Sequence, residues 1–227
     1  MSRAGIPLPV YYGGTFDPIH NAHLAIAGGV RDALEAEVHL VPAADPPHRL
    51  PPGASAGQRA QMVRLAIAGQ PGLVLDTIEL ERARRVPQRP SYTVDTLAQL
   101  RQQHGPGRPL AWLIGGDSLD SLHRWHQWPR LFELAHVVVV GRPGNPLPDA
   151  PPVPLRQVLA GREWCRDAAD LRARAAGCLY PLPLPLREGS ATAVRQAIAA
   201  GKPVDTLVPA AVAAYLRQQE LYRPRGG

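Results

Sequence analysis

The sequence is poor in lysine and cysteine. Lys202 is its single lysine, so arginine supplies almost all of the net charge of +6. The arginines are scattered and form no block of like charge, which favours a solvated basic surface over a nucleic-acid-binding patch. Cys165 and Cys178 show no Cys-x-x-Cys spacing. We therefore expect both thiols to be reduced, in a cytoplasmic protein.

The sequence also lacks long apolar runs. No stretch of about 18 apolar residues occurs, so we expect no membrane-spanning helix and no membrane partner. The N-terminal MSRAGIPLPV is too short and too broken by proline to be a signal peptide. Proline is dense in AADPPHRLPPGAS and again over Pro143–Pro154. Both stretches are predicted to be loops.

What the sequence does contain is an alternation of short apolar segments and amphipathic segments. Strands or extended segments are predicted at PVYYGG, EVHLVP, LVLDTIEL, PLAWLIG, HVVVVG and GCLYPLPLPL. Helices are predicted from His20 to about Leu34, over AGQRAQMVRLAIAG, SYTVDTLAQLRQQHG, SATAVRQAIAAG and PAAVAAYLRQQE, and over an arginine-rich stretch at about 155–175. ERARRVPQRP is predicted to be a polar connector.

This alternation predicts an α/β fold of the Rossmann-like type, an open parallel sheet with helices on both faces. The helices after the last strand would cover the sheet. The length of 227 residues suits one large domain or two small ones. No convincing boundary is visible, so a single domain over 1–227, with its core at about 8–222, is expected.

The stretch GGTFDPIHNAHL follows the first predicted strand directly. In an open parallel sheet, ligands bind beyond the carboxyl ends of the strands. Gly13 and Gly14 would let an anion approach the main chain, and Thr15 and Phe16 would offer N–H groups to it. Asp17 fits a turn and is predicted to cap the following helix.

His20 and His23 lie three residues apart and would project from one face of that helix. Two imidazole donors beside a helix N-terminus suit a phosphate group. Zinc is the alternative, but a zinc pair usually has i,i+4 spacing or a third ligand at fixed spacing, and neither is evident. A purely structural role for the histidines also stays open.

The stretch resembles the T/HxGH-type signature of the nucleotidyltransferase superfamily, and four further motifs resemble those of bacterial nicotinate mononucleotide adenylyltransferases. They are DPPHR (Asp45–Arg49), PSYTVDTL (Pro90–Leu97), LIGGDSLDSLHRWHQW (Leu113–Trp128) and SATAVR (Ser190–Arg195). They occur in the family's order and span nearly the whole chain. Gly189 departs from the pattern, which usually has an apolar residue there, and we expect it to loosen the helix start.

The resemblance implies transfer of AMP from ATP to nicotinate mononucleotide, with formation of deamido-NAD and pyrophosphate. It implies catalytic roles for His20, His23 and Arg195. ATP contacts are implied for Gly13, Gly14, Thr15, Phe16, His20, His23, Gly115, Asp117, Ser190, Thr192 and Arg195. Acceptor contacts are implied for His48, Arg49, Tyr92, Thr93, Asp117 and Trp125. Mg²⁺ is expected to arrive with ATP, without a tight protein site.

From the residue types alone, several of these positions can be explained by a structural role. Ser91 or Thr93 is a candidate helix cap, Ser190 is another, and a single Trp such as Trp125 is more often core than ligand platform. Other acceptors, such as phosphopantetheine or nicotinamide mononucleotide, remain alternatives. So do a non-catalytic nucleotide-binding regulator and, more distantly, a zinc hydrolase. The oligomeric state stays open, and the stretch 146–177 is given no role.

Overall fold

Within the described residues, the protein forms a parallel sheet of six strands. The computed structural model describes residues 7–44, 53–86, 90–141, 147, 152–158, 165, 167–185 and 188–224. The strands are β1 (Leu8–Gly14), β2 (Ala36–Pro42), β3 (Leu73–Leu75), β4 (Ala111–Gly115), β5 (His136–Val140) and β6 (Leu179–Leu182). Their order in space is β3-β2-β1-β4-β5-β6, the doubly wound arrangement of a Rossmann-like fold. The predicted fold class is confirmed.

Helices connect the strands and cover both faces of the sheet. The described helices are α1 (Asn21–Leu34), α2 (Ala56–Ile67), α3 (Ile78–Arg85), α4 (Thr93–His104), α5 (Gly116–Ser121), α6 (Trp128–Leu134), α7 (Val153–Val158), α8 (Asp170–Ala173), α9 (Ala191–Ala199) and α10 (Ala210–Gln218). A 3₁₀ turn follows α5 at Leu122–Arg124. None of the helices in the described ranges is long and apolar enough to cross a membrane.

Alternate residues of the central strands enter two separate cores, because successive side chains of a strand point to opposite faces. Val10 and Leu113 lie in the core on one face, together with residues of α1, α2, α9 and α10. Tyr11 and Trp112 lie in the core on the other face, with residues of α4 and α6. The strand order reverses between β1 and β4, whose register pairs Val10 with Ala111. A crevice is therefore expected at the carboxyl ends of β1 and β4.

Part of the prediction for residues 73–89 is wrong. The strand predicted from LVLDTIEL ends at Leu75, and helix α3 spans the end of that predicted strand and the first half of the predicted connector. The helix begins where Asp76 Oδ1 accepts the main-chain N–H of Ile78 at 2.9 Å. Its first turn is acidic and its last turn basic, an arrangement that the helix dipole favours.

Two predictions about the later part of the chain are also wrong. Cys165 and Cys178 are joined by a disulfide bond rather than reduced. The main-chain N–H of Cys165 donates to the carbonyl of Leu179 at 2.9 Å, which holds Cys165 beside β6, next to its partner. The predicted long helix at 155–175 is, within the described residues, two short helices, α7 and α8. α7 begins inside the predicted proline loop, and Pro152 accepts the N–H of Leu155 at 2.9 Å.

Candidate active site

A cavity of about 940 Å³ opens at the carboxyl ends of β1 and β4. The starts of α1, α4 and α9 border it, so three helix N-termini and their main-chain N–H groups lie around one space. The predicted site residues that line it are Gly13, Gly14, Thr15, Phe16, His20, His23, Tyr92, Thr93, Gly115, Trp125, Ser190, Thr192 and Arg195. Residues from both predicted substrate sites thus lie around one cavity.

One predicted site residue within the described ranges does not line the cavity. Asp117 lies in the first turn of α5, exposed to solvent, and is not part of the cavity wall. His48 and Arg49 lie outside the described residues. For these three positions the roles implied by the resemblance stay predictions.

The glycine turn after β1 is shaped by two aromatic rings. A Cβ atom on Gly13 would overlap the ring of Trp112, and one on Gly14 would come 2.9 Å from Cζ of Phe16. Phe16 is buried, with a positive φ of 50°, a conformation that L-residues rarely adopt. The two glycines are therefore required by ring packing. The ring of Phe16 fills the space behind the turn, so this residue can serve a ligand chiefly through its main chain.

The two histidines of the signature form a stacked pair. Their ring centroids are 3.7 Å apart and the ring planes differ by 24°. His20 is the N-cap residue of α1, and its main-chain N–H donates to Nδ1 of His23 at 3.3 Å. Because Nδ1 of His23 accepts, the proton of the neutral ring must be on Nε2. His23 can thus present an N–H donor to a ligand in the cavity, which both rings line.

The start of α9 forms a second group of donors. Ser190 caps the helix, with Oγ accepting the N–H of Ala193 at 3.5 Å. Arg195 donates through Nη2 to Oγ1 of Thr192 at 3.1 Å and through Nη1 to the main-chain carbonyl of Asp17 at 2.7 Å. The hydroxyl of Thr192 accepts from the guanidinium, so its proton is available for another acceptor.

The departure at Gly189 has a packing cause. A Cβ atom there would lie 2.6 Å from Cβ of Ala22 and 3.1 Å from Nδ1 of His20. The glycine lets the entry to α9 lie against the start of α1. It brings the donors of α9 close to the histidine pair, whereas the sequence suggested a loosened helix.

The start of α4 forms the opposite side of the cavity. Tyr92, rather than Ser91 or Thr93, is the N-cap residue, and no side chain caps the helix. The predicted cap is therefore wrong, because the Ser91 hydroxyl donates to Glu79 at 2.7 Å instead. With no side-chain cap, the first-turn N–H groups of α4 can serve an anionic ligand. The Tyr92 ring lies 4.3 Å from the ring of His126, centroid to centroid.

Comparison with known proteins agrees with this geometry. Residues 11–197 match the model of the cytidylyltransferase-like family. A Stenotrophomonas maltophilia protein described as a probable nicotinate-nucleotide adenylyltransferase is 56% identical over 95% of this chain and 97% of its own length. The chain belongs to the nicotinate-nucleotide adenylyltransferase family. Relatives with the same description from Xylella fastidiosa (strain M12) and Marinobacter nauticus are 44% and 46% identical over 95% of the chain.

Solved structures share the fold of this family member. The nicotinic acid mononucleotide adenylyltransferase of Plasmodium falciparum, complexed with NaAD, superposes with a TM-score of 0.71 at 15% sequence identity. The match covers 96% of this chain and 98% of the other. The same protein complexed with APC gives a TM-score of 0.69. The solved structures show that the chain has the fold of its family, and the family membership makes it a nucleotidyltransferase enzyme.

Several residues that line the cavity of this adenylyltransferase were not predicted as site residues from the sequence. They are Asp17, Glu79, Trp112, Ser118 and His126. His126 directly follows Trp125, and the polar character of HRWHQW was the available signal for it. Trp112 gave no signal, because a tryptophan within a strand pattern is most simply read as core.

Glu79 belongs to a buried polar network beneath the start of α4. Its carboxylate accepts the hydroxyls of Ser91 and Thr96 at 2.7 and 2.8 Å. Arg82 donates through Nη2 to the same two hydroxyl oxygens, each at 2.7 Å. Burial raises the pKa of Glu79, and the hydrogen bonds from Ser91 and Thr96 act in the opposite direction. The network ties α3 to the first turn of α4.

Proposed function

We propose that this enzyme transfers the adenylyl group of ATP to nicotinate mononucleotide, forming deamido-NAD and pyrophosphate in NAD biosynthesis. One observation carries the proposal. The histidine pair and the α9 donors lie on one side of the cavity, and the uncapped α4 N-terminus with its aromatic rings lies on the other. The family membership supports the same reaction.

The reaction requires the two substrates to be positioned, and it does not require the attacking phosphate to be activated. An oxygen of the acceptor's phosphate attacks the α-phosphorus of ATP, and the bond from that phosphorus to the bridging oxygen of the pyrophosphate breaks. The attacking phosphate is already an anion, so no general base and no covalent enzyme intermediate are needed. Two polyanions must nevertheless be held in line while their mutual repulsion is offset.

The histidine pair is proposed to stabilise the α-phosphate. Nε2 of His23 carries the proton in the neutral ring, since Nδ1 accepts the N–H of His20. That N–H can donate to a non-bridging oxygen as charge accumulates in the five-coordinate transition state. His20, stacked on it, supplies a second imidazole, and the glycine turn supplies main-chain N–H groups.

The α9 group is proposed to hold the departing pyrophosphate. Arg195 provides a guanidinium, which suits phosphate oxygens, and Thr192 and Ser190 provide hydroxyls. Because Arg195 is fixed by Asp17 and Thr192, it needs little reorganisation when charge develops on the leaving group.

The acceptor is proposed to occupy the α4 side. The carboxylate of the nicotinate ring would accept N–H groups of the first turn of α4, near Tyr92 and Thr93. Trp125 would stack on the pyridine ring. Asp117 would reach a ribose hydroxyl from its exposed position on α5, and His48 and Arg49 would contribute from the preceding loop.

Mg²⁺ is proposed to enter as part of the ATP substrate. Asp17 and Glu79 are the described acidic residues that line the cavity, and both carboxylates accept several hydrogen bonds. No group of three metal-binding side chains occurs among the described residues. Phosphate oxygens and water would thus hold the ion, which suits the octahedral preference of Mg²⁺. The cytoplasm, which supplies ATP, is the proposed compartment.

A side-by-side assay of two acceptors tests this proposal. The purified enzyme, ATP and Mg²⁺ are incubated with either nicotinate or nicotinamide mononucleotide, and dinucleotide and pyrophosphate are both quantified. We expect stoichiometric formation of deamido-NAD and pyrophosphate, with a higher kcat/KM for the nicotinate form. A preference for the nicotinamide form, or ATP binding without pyrophosphate release, would contradict the proposal.

A further inference from the structure

The position of Asp17 in the sequence suggests that it caps α1, but His20 is the N-cap residue and Asp17 has other partners. Its carboxylate is buried and accepts three hydrogen bonds from distant parts of the chain. The donors are the main-chain N–H groups of Gly53 at 2.8 Å and Ala54 at 3.0 Å, and the hydroxyl of Tyr222 at 2.6 Å. The acidic side chain of the signature motif is thus held by the main chain just before α2 and by the C-terminal turn.

Asp17 also fixes Arg195. Its main-chain carbonyl accepts Nη1 of Arg195 at 2.7 Å, and its carboxylate Oδ2 lies 3.8 Å from the same nitrogen. The guanidinium lines the cavity, and its side chain is about one-third exposed, at 35%. A change in the orientation of Asp17 would therefore move the guanidinium of Arg195 or draw it into an ion pair with the carboxylate. This guanidinium is the group proposed to hold pyrophosphate.

Tyr222 is built into this cluster. Its ring lies against Gly53, where a Cβ atom would come 2.9 Å from Cε1 of the tyrosine. Burial and the hydrogen bond to Asp17 raise the pKa of the Tyr222 hydroxyl far above its ordinary value. The hydroxyl therefore stays protonated and donates to Oδ1 of Asp17, which leaves Oδ2 facing Arg195 and the Gly53 N–H.

A second arginine, which is buried, supports the same loop. Arg59 is almost fully buried and donates through Nη1 to the carbonyl of Thr15 at 2.7 Å and through Nε to the carbonyl of Ala54 at 3.3 Å. Arg59 and Tyr222 thus hold the turn that contains Asp17 from two directions. Asp17 therefore connects the C-terminal turn to the phosphate side of the cavity.

We propose that Tyr222 is a positioning residue that acts through Asp17 on Arg195, so that the C-terminal turn takes part in holding the leaving pyrophosphate. This inference rests on the proposed function. Without the tyrosine hydroxyl, Oδ1 of Asp17 loses one donor and keeps the Ala54 N–H, and the carboxylate turns toward Arg195, whose Nη1 lies 3.8 Å from Oδ2. A guanidinium drawn into that ion pair is less available to the pyrophosphate.

The test combines Tyr222→Phe and Arg195→Ala singly and together, with Tyr215→Phe as the matched control. Tyr215 lies half-buried on α10 and is not part of the Asp17 cluster. Deamido-NAD formation gives kcat and both KM values. We expect Tyr222→Phe to lower kcat by about tenfold, the scale of one lost hydrogen bond to a charged group, with the KM for nicotinate mononucleotide within about twofold. In the Arg195→Ala background, the same change should alter kcat by less than about twofold.

The outcomes separate this inference from the proposed function. An equal loss of kcat from Tyr222→Phe in both backgrounds, an unchanged kcat, or an equal loss in Tyr215→Phe would overturn the positioning role. If Tyr222→Phe does not fold, Asp17→Asn replaces it, and the same dependence on Arg195 is required. Wild-type enzyme that forms no deamido-NAD would overturn the proposed function, and this inference with it.

Discussion

The imidazole of His23 accepts the main-chain N–H of His20 through Nδ1, at 3.3 Å, while the two rings stack with centroids 3.7 Å apart. This contact fixes which nitrogen carries the proton in the neutral ring of His23, and it gives the two ring nitrogens different roles. Nδ1 accepts a hydrogen bond at the helix start, and Nε2 carries the proton of the neutral ring.

Substitutions of His23 by glutamine and asparagine test whether Nε2 is the nitrogen that donates to the ligand. In His23→Gln the side-chain amide nitrogen can replace Nε2, whereas in His23→Asn it can replace only Nδ1. We expect His23→Ala to lose about 10²–10³ in kcat, the scale of one lost transition-state donor. His23→Gln should retain more activity than His23→Asn. Steady-state kinetics measure this order, and an asparagine variant as active as glutamine would show that the Nε2 donor is not the important one. His20→Ala should lose kcat on the same scale.

Trp125→Ala should mainly weaken the acceptor complex. Removing a stacked ring costs about 0.5–1.5 kcal/mol, so the KM for nicotinate mononucleotide should rise about threefold to tenfold while the KM for ATP stays near normal. Trp128→Ala is the matched control, since Trp128 begins α6 and does not line the cavity. An unchanged acceptor KM in Trp125→Ala would remove the stacking role.

Glu79→Gln should affect both stability and acceptor binding. The amide keeps one acceptor oxygen but brings an N–H₂ group against hydroxyls that now donate to the carboxylate. We expect a loss of about 1–3 kcal/mol in the free energy of unfolding, measured with urea, and a raised acceptor KM. Glu81→Gln is the control, because Glu81 is exposed and accepts a local hydrogen bond from the hydroxyl of Thr77 at 2.6 Å. Equal effects in the two variants would disprove a special role of the network.

Acidification should destabilise the protein through His136. Burial lowers the pKa of this ring. Its Nδ1 accepts the main-chain N–H of Cys178 at 3.0 Å, and its Nε2 lies 3.0 Å from the carbonyl oxygen of Arg174. Because its pKa is lower when folded, the unfolded chain binds more protons below about pH 6.5, and stability falls as pH falls. His104, beside the Tyr11 hydroxyl at 2.7 Å, acts in the same direction.

Thermal melts between about pH 7.5 and 5.5 measure this effect. The melting temperature of the wild type should fall over that range, and His136→Gln should show a shallower slope from a lower starting point. A wild-type melting temperature that rises on acidification would contradict the assignment of a neutral buried ring.

Much of the fold could be predicted because the central strands are buried on both faces and therefore read as continuous apolar runs, as in β5. Helix α3 could not be predicted in this way. It is short and highly charged, and the burial of Glu79 depends on hydroxyls of Ser91 and Thr96, which lie 12 and 17 residues away in sequence. Local periodicity carries no information about such partners.

The candidate site shows the same limit. The motif spacing was sufficient to predict many of the residues that share the cavity, because the ends of parallel strands and the starts of helices converge there. The role of Asp17 was predicted wrongly, since its neighbouring helix is the obvious partner in sequence. Its observed partners, Gly53 and Tyr222, lie 36 and 205 residues along the chain.

A crystal structure of the enzyme with a non-hydrolysable ATP analogue and nicotinate mononucleotide tests the central claim most directly. The account predicts an α-phosphate oxygen at about 3 Å from Nε2 of His23 and the β- and γ-phosphates at Arg195 and the start of α9. A triphosphate bound away from both imidazole rings, or one contacted by Nδ1 of His23, would contradict it.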